Sequence, residues 1–185
     1  MPSQHLFLTG YRGSVKTTVA HSLADRWQLP AIDLDDCVES EAGRSIANIF
    51  ETDGEAEFRR LESVALQTAV DADPQIIGLG GGAILAEENR RTIRDHGIVI
   101  WLDASPECLA RRIGGDESTA SRRPSLTGAP VLDEIASVMA KRRPLYEDVS
   151  DVRIVVDQLS VDDIVDFVAQ RIRFDAAFVF ISPSS

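Results

Sequence analysis

Residues 6–17 read LFLTGYRGSVKT, and they are the most informative part of the chain for its fold class. Its first four residues, Leu6 to Thr9, form a short apolar run, which is typical of a buried parallel strand. Apolar residues then recur at helical spacing from Thr17 to Trp27, so the sequence predicts a helix soon after the strand. The loop between them lies at a helix N-terminus, where backbone N–H groups and the helix dipole favour a bound phosphate.

The loop matches the phosphate-binding motif GxxxxGK(S/T) at every fixed position except one. In this motif the lysine, here Lys16, reaches the outer phosphates, and the hydroxyl, here that of Thr17, ligates magnesium. Val15 stands where the motif has glycine, and a β-branched residue with positive φ at that position would be strained by about 1–3 kcal/mol. The predicted nucleotide contacts are Gly13, Ser14, Val15, Lys16, Thr17 and Thr18. We expect Val15 to weaken nucleotide binding.

The rest of the chain alternates apolar runs with segments of helical periodicity. Further strands are predicted at 31–33, 76–79, 98–102 and 152–156, and a helical run is predicted from about 45 to 70 with an interruption at Asp53–Gly54. Strands that alternate with helices imply right-handed βαβ units, and hence a parallel sheet covered by helices on both faces. We therefore predict a single three-layer α/β domain over residues 1–173. Residues 114–128 are poor in apolar side chains and predict a mobile lid, whereas the apolar tail, 174–185, shows no assignable pattern.

Composition argues against several classes of function. The formal net charge is −11, whereas proteins that bind nucleic acid usually carry a basic surface, so we expect no nucleic-acid partner. No apolar run reaches the roughly 18 residues of a membrane-spanning helix, and the N-terminus lacks the basic region of a signal peptide. Two cysteines, Cys37 and Cys108, are too few for a disulfide framework. We expect a cytoplasmic monomer that binds small molecules and no membrane.

Further motifs follow along the chain and point to a family. They are DLDDCVE at 33–39, GRSIANIF at 43–50 with GEAEFRRLE at 54–62, GGGA at 80–83, RPSL at 123–126 and KRRPLY at 141–146. In order and spacing these motifs resemble those of shikimate kinases, and the resemblance covers about residues 5–172. It implies a P-loop NTPase fold of the nucleoside monophosphate kinase kind, with five parallel strands in the order 2-3-1-4-5. It also implies transfer of the γ-phosphoryl group of ATP, with Mg²⁺ as cofactor, to the 3-hydroxyl of shikimate.

The resemblance assigns the acceptor substrate to residues of several motifs. The implied contacts are Asp35, Arg59, Gly80, Gly81, Gly82 and Arg142. The two arginines would clamp the carboxylate of shikimate, because a guanidinium binds a carboxylate through two parallel hydrogen bonds. The aspartate would hold the accepting hydroxyl as base or orienting group. The three glycines would let the backbone approach the substrate where a side chain would obstruct it.

The resemblance also assigns the nucleotide side. Asp33 would lie near magnesium beside Thr17, and Arg112 would stack on the adenine. Arg123 of the lid would neutralise charge on the transferring phosphoryl group, with Arg122 as the alternative because the lid is longer than usual. The implied catalytic residues are Lys16, Asp35 and Arg123.

Alternative interpretations stay open on the sequence alone. A gluconate kinase-like enzyme would share the fold, but it does not require the GRSI, FRRLE and GGG blocks together. A non-catalytic relative that binds shikimate but has lost ATP would explain Val15. Asp33 and Asp35 could be only a helix cap and a turn residue, and residues 80–82 could be a plain turn between a strand and a helix.

Overall fold

The computed structural model describes residues 4–114, 131–175 and 178–181. Five parallel strands form one sheet in the order β2-β3-β1-β4-β5, which confirms the predicted order. The strands are β1 His5–Thr9, β2 Ala31–Asp33, β3 Ile76–Gly78, β4 Gly97–Asp103 and β5 Val152–Val155. β1 lies in the centre of the sheet, since Leu8 pairs with Gly78 of β3 on one side and with Ile100 of β4 on the other.

Helices connect the strands and flank the sheet. They are α1 Lys16–Trp27, α2 Leu34–Ala42, α3 Ile46–Thr52, α4 Gly54–Val70, α5 Glu87–His96, α6 Pro106–Gly114, α7 Val131–Val149 and α8 Val161–Arg171, with a 3₁₀ turn at Ala83–Leu85. Gly54 has a φ of 82° where α3 ends and α4 begins, a conformation that glycine adopts without steric cost. The helical run from 45 to 70 is therefore interrupted where the sequence predicts it.

Burial explains why the central strands read as continuous apolar runs. Every residue of β1 is buried, and so are the last five residues of β4, because parallel strands in the middle of such a sheet are covered on both faces. β5, at the edge of the sheet, alternates buried and exposed residues. The largest fully buried side chains are Trp101 of β4, Tyr146 of α7, Phe7 of β1 and Phe58 of α4.

The carboxyl ends of the five strands meet at one edge of the sheet, which is where ligands bind in open parallel α/β sheets. β1 leads into the loop 10–15, β2 ends at Asp33, and β3 leads into the glycines at 80–82. β4 ends at Asp103, and β5 leads into Val156. The phosphate loop, the pair Asp33 and Asp35, and the glycine turn at 80–82 are brought to this edge because each of the three follows a different strand.

The C-terminal part of the chain forms a second, antiparallel sheet of two strands. β6 Ile172–Asp175 pairs with β7 Phe178–Ile181. The sequence left the tail, 174–185, unassigned, and the domain end drawn at 173 falls inside β6. Of the lid predicted at 114–128, only Gly114 belongs to the described residues, as the last residue of α6. Within the described ranges no helix is both long and apolar enough to cross a membrane.

Candidate active site

The phosphate loop depends on two glycines whose conformations other residues rarely adopt. Gly10 has a φ of 146° and Gly13 a φ of 82°. A Cβ at Gly10 would lie 2.5 Å from the carbonyl oxygen of Leu102 and 2.7 Å from Oγ of Ser14, so the loop could not close over a larger residue. The loop is further fixed by the N–H of Ser14, which donates to the carbonyl of Tyr11 over 3.1 Å.

Val15 has the left-handed conformation that the motif normally gives to glycine. Its φ is 60° and its ψ is 20°, and it occupies the N-cap position of α1 without a side-chain cap. Among the described non-glycine residues only Gln28, the C-cap of α1, also has a positive φ. A β-branched residue is a steric outlier in this region, whereas a C-cap commonly adopts it. Val15 therefore has the positive φ at which the sequence analysis predicts strain.

Lys16 and its neighbours lie at the mouth of the loop. The ammonium of Lys16 donates to the carbonyls of Gly10 and Tyr11 over 3.0 and 3.1 Å. Thr17 and Thr18, in the first turn of α1, are exposed. A positive charge, exposed hydroxyls and the N-terminus of a 12-residue helix thus face the same space, which suits a polyphosphate.

The two residues predicted near magnesium touch each other. The hydroxyl of Thr17 donates to Oδ2 of Asp33 over 2.7 Å, and Oδ1 of Asp33 accepts from the N–H of Asp35 over 3.0 Å. Asp33 is therefore the N-cap of α2, as the alternative interpretation held, and it faces Thr17 at the same time. A hydroxyl and a carboxylate are the hard oxygen ligands that Mg²⁺ prefers, and one or two such protein ligands are usual when phosphates supply the rest. The described residues contain no cluster of three or more His, Cys, Asp or Glu that could hold a metal by itself.

Two carboxylates converge on Gly80. A Cβ at this position would lie 2.5 Å from Oδ1 of Asp35 and 2.8 Å from Oε1 of Glu62. No side chain can therefore replace the hydrogen of Gly80 without moving both carboxylates. Asp35 is half-buried, whereas Glu62 is fully buried.

Arg59 lies against the same turn and is held by two carboxylates of its own helix. Its guanidinium donates to Glu62 over 2.7 Å and to Glu55 over 3.1 and 3.3 Å. A Cβ at Gly82 would lie 2.7 Å from Cζ of Arg59, so the guanidinium packs directly on that backbone. Burial opposes the charge on Arg59, but the two carboxylates outweigh it and raise the pKa of the guanidinium above its usual value.

Arg142 reaches the turn from the opposite direction, on α7. Its Nη1 donates to the carbonyl of Gly81 over 2.8 Å, and the hydroxyl of Tyr146 donates to the same carbonyl over 2.9 Å. A Cβ at Gly81 would lie 3.3 Å from the carbonyl of Gly10 in the phosphate loop. The structure therefore brings Arg59 and Arg142 together at one turn and places that turn directly against the phosphate loop.

Arg112, predicted beside the adenine, joins three elements at the far side of the loop. Its Nη2 donates to the carbonyl of Val156 after β5 over 2.9 Å, and its Nη1 lies 3.5 Å from the carbonyl of Gly13. The guanidinium is half-buried at the end of α6. Arg122 and Arg123 lie outside the described residues, so their predicted role stays a prediction.

Sequence reasoning missed two residues of this site. It quoted the GEAEFRRLE motif without a role for Glu62, which pairs with Arg59 and is fully buried beside Gly80. A carboxylate on the apolar face of α4, three residues after an arginine, was the available signal. It also quoted the KRRPLY motif without a role for Tyr146. The position of that residue, four after Arg142 on one helix face, could have indicated a shared target.

Comparisons with known proteins agree on one family. The sequence profile of the shikimate kinase family matches residues 12–173. A shikimate kinase of Rhodopirellula baltica is 48% identical over 162 residues, which cover 88% of this chain and 87% of that protein. A shikimate kinase of Symbiobacterium thermophilum is 41% identical over 169 residues, covering 91% and 96% of the two chains.

A solved structure gives the same result. The shikimate kinase of Acinetobacter baumannii, determined in complex with shikimate, superimposes with a TM-score of 0.84 at 29% identity. The match covers 91% of this chain and 92% of that one. The fold, the arrangement at the carboxyl edge of the sheet and the similarity over nearly the whole chain lead to one conclusion: the chain belongs to the shikimate kinase family.

Proposed function

We propose that this protein transfers the γ-phosphoryl group of ATP to the 3-hydroxyl of shikimate. One observation carries the proposal: two arginines meet at a glycine turn that directly abuts the phosphate loop. An anionic acceptor held by Arg59 and Arg142 would lie next to a nucleotide held by the loop. Proximity of this kind removes much of the entropic barrier to phosphoryl transfer.

The acceptor side is arranged for a compact hydroxy acid. A carboxylate placed between Arg59 and Arg142 would form charge-assisted hydrogen bonds, which are roughly twice as strong as neutral ones. Glu62 is buried and bonded to Arg59, so the guanidinium is already oriented before a ligand arrives. Asp35, at Gly80, would accept a hydrogen bond from the hydroxyl that attacks and would take up its proton. The glycine turn would allow the ring to approach the backbone.

The nucleotide side uses the loop, Lys16 and the pair Thr17–Asp33. The ammonium of Lys16 would move from the loop carbonyls to the outer phosphates, and the N–H groups of the loop would bind phosphate oxygens. Thr17 and Asp33 have the oxygen atoms that would hold Mg²⁺, directly or through water. When bound, this ion neutralises charge that develops on the phosphates. Arg112 would cover the adenine.

We propose that the protein acts as a monomer, since the acceptor residues Asp35, Arg59 and Arg142 converge on one turn within a single chain. Both cysteines, Cys37 and Cys108, are free, which suits a reducing compartment such as the cytoplasm.

The left-handed Val15 favours a second candidate function, a protein that binds shikimate but uses ATP poorly or not at all. The strain at this position lies on the nucleotide side. Calorimetry separates the two functions. Binding of both shikimate and ADP–Mg²⁺ supports the kinase, whereas binding of shikimate alone supports the second candidate.

The direct test is release of ADP in a coupled assay, with shikimate and gluconate compared as acceptors. We expect turnover with shikimate and none above background with gluconate. The chain offers a matched pair of variants: Arg59→Ala removes a guanidinium from the turn, whereas Arg60→Ala removes an exposed one that pairs with Glu57. Loss of charged hydrogen bonds should raise the KM for shikimate roughly 10- to 100-fold in Arg59→Ala and leave it unchanged in Arg60→Ala. Equal effects of the two substitutions, or faster turnover of gluconate, would contradict the assignment.

A further inference from the structure

The backbone of the glycine turn must be held by its surroundings, because it has no side chains of its own. Two of its three carbonyls are used within the turn: that of Gly80 accepts from the N–H of Ala83 over 3.0 Å, and that of Gly82 from the N–H of Leu85 over 3.0 Å. The carbonyl of Gly81 instead points to α7, where it accepts from Arg142 and Tyr146. The orientation of this peptide is therefore decided by two side chains of another element.

The two donors differ in how firmly they are placed. Arg142 is half-buried, and it is the residue that we assign to the substrate carboxylate. Tyr146 is fully buried, and its ring stacks on Trp101 with a centroid distance of 5.4 Å and an interplanar angle of 15°. A guanidinium that turns towards a ligand changes its bond to Gly81, whereas the phenol cannot leave without opening the core.

The support of Tyr146 extends to the edge of the sheet. Trp101 is itself fully buried on β4, and the guanidinium carbons of Arg143 and Arg153 lie 5.1 and 4.9 Å from its ring centroid. Both arginines donate to the buried carboxylate of Asp103, at distances between 2.6 and 3.3 Å. Because each cation is fixed by this carboxylate, the indole and the phenol ring stacked on it have few alternative positions.

We propose that Tyr146 is a positioning residue for the acceptor substrate. Its hydroxyl fixes the Gly81 peptide, and through it the spacing between the backbone of Gly80–Gly82, Asp35 and Arg59. This hydrogen bond is made to the acceptor turn, so we expect its removal to affect the binding of shikimate more than the binding of nucleotide. The inference rests on the proposed function, since it assigns the glycine turn to shikimate.

The substitution that isolates this role is Tyr146→Phe, which keeps the ring and its stack on Trp101 and removes only the hydroxyl. Loss of one hydrogen bond to the Gly81 carbonyl should raise the KM and the calorimetric Kd for shikimate about three- to tenfold. The KM for ATP should change by less than about twofold. A purely structural role would lower the melting temperature and the amount of folded enzyme, but it would not separate the two KM values.

A control on the same helix separates stability from positioning. Val149→Ala removes buried apolar atoms of α7 and should lower the melting temperature, yet it should leave the KM for shikimate unchanged. Tyr146→Phe and Arg142→Lys should also combine to raise the shikimate KM by more than the product of their separate effects, because they act on one carbonyl.

The outcomes distinguish this inference from the proposed function. If the unaltered protein fails to bind or phosphorylate shikimate, the proposed function is wrong and this inference falls with it. If the unaltered protein is active but Tyr146→Phe leaves the KM and Kd for shikimate unchanged, only the positioning role is wrong. The positioning role is also wrong if Val149→Ala raises the KM for shikimate as much as Tyr146→Phe does. It is wrong as well if the double variant Tyr146→Phe, Arg142→Lys raises this KM by no more than the product of the two single effects.

Discussion

Replacement of Val15 by glycine tests the strain in the phosphate loop. Val15 has a φ of 60°, a region in which a β-branched residue costs about 1–3 kcal/mol relative to a relaxed conformation. We infer that the free loop also populates relaxed conformations in which Val15 leaves this region, whereas phosphate binding by the loop N–H groups requires the conformation observed here, so the cost falls on nucleotide binding. At about 1.4 kcal/mol per factor of ten, relief of the strain should strengthen ADP–Mg²⁺ binding roughly five- to 140-fold. Val15 is half-buried and packs against the core, so its replacement by glycine also removes some apolar contacts, a loss that lowers the free energy of unfolding rather than the affinity for nucleotide.

Calorimetry and steady-state kinetics measure the effect. Val15→Gly should lower the Kd for ADP–Mg²⁺ and the KM for ATP within this range, with the Kd for shikimate unchanged. Val15→Asn is the matched control, because asparagine tolerates the left-handed region but keeps a Cβ. A large increase in affinity for ADP–Mg²⁺ in both variants would identify backbone strain as the cause. An increase in Val15→Gly alone would show that the side chain obstructs the ligand. An unchanged Kd for ADP–Mg²⁺ in Val15→Gly would refute the reasoning.

Three further predictions concern other parts of the molecule. Gly82→Ala places a methyl group 2.7 Å from Cζ of Arg59, so the guanidinium must move. The KM for shikimate should therefore rise at least about tenfold, while the KM for ATP stays unchanged. An unaltered KM for shikimate would argue against the packing of Arg59 on Gly82. Asp35→Asn removes the proposed base and should lower kcat by about 10²- to 10⁴-fold while calorimetry still detects shikimate binding, whereas near-normal kcat would exclude a role in proton transfer. His5 is fully buried, and burial lowers the pKa of its imidazole below 6.5, so protonation favours the unfolded chain. Its contribution to the free energy of unfolding should be complete above about pH 6.5 and should fall as the pH drops towards the lowered pKa, by at most about 1.4 kcal/mol per pH unit. In urea unfolding, the free energy of unfolding of His5→Gln should fall less steeply below pH 6.5 than that of the unaltered protein. Identical pH profiles of the two proteins would contradict this prediction.

In the neutral form of His5, each ring nitrogen has a hydrogen-bond partner in the backbone. Nδ1 accepts from the N–H of Gln75 over 3.3 Å, and Nε2 lies 3.2 Å from the carbonyl of Val70, to which it donates in that tautomer. A proton on Nδ1 would remove the acceptor that Gln75 needs. Sequence reasoning assigns no role to this histidine, because nothing local indicates that position 5 of the chain meets residues 70 and 75.

Features that depend on neighbouring residues could be predicted from the amino-acid sequence. The phosphate loop could be predicted because its motif occupies consecutive positions between a strand and a helix, and the sheet because its central strands are continuous apolar runs. The position of the break between α3 and α4 followed from a single glycine. Asp33 as a helix cap followed in the same way, since a cap is a contact within one turn.

Contacts between residues that are far apart in the chain become visible only in the folded protein. Tyr146 and Gly81 are 65 residues apart, and Arg142 and Gly81 are 61 apart, so no local pattern indicates that they share a carbonyl. The burial of Glu62 and the left-handed φ of Val15 likewise depend on how the chain packs around them. The physical reason is that a helix cap or a strand pattern is fixed by short-range sterics and hydrogen bonds. The acceptor site instead forms where the ends of separate strands and helices are brought together by burial of the core.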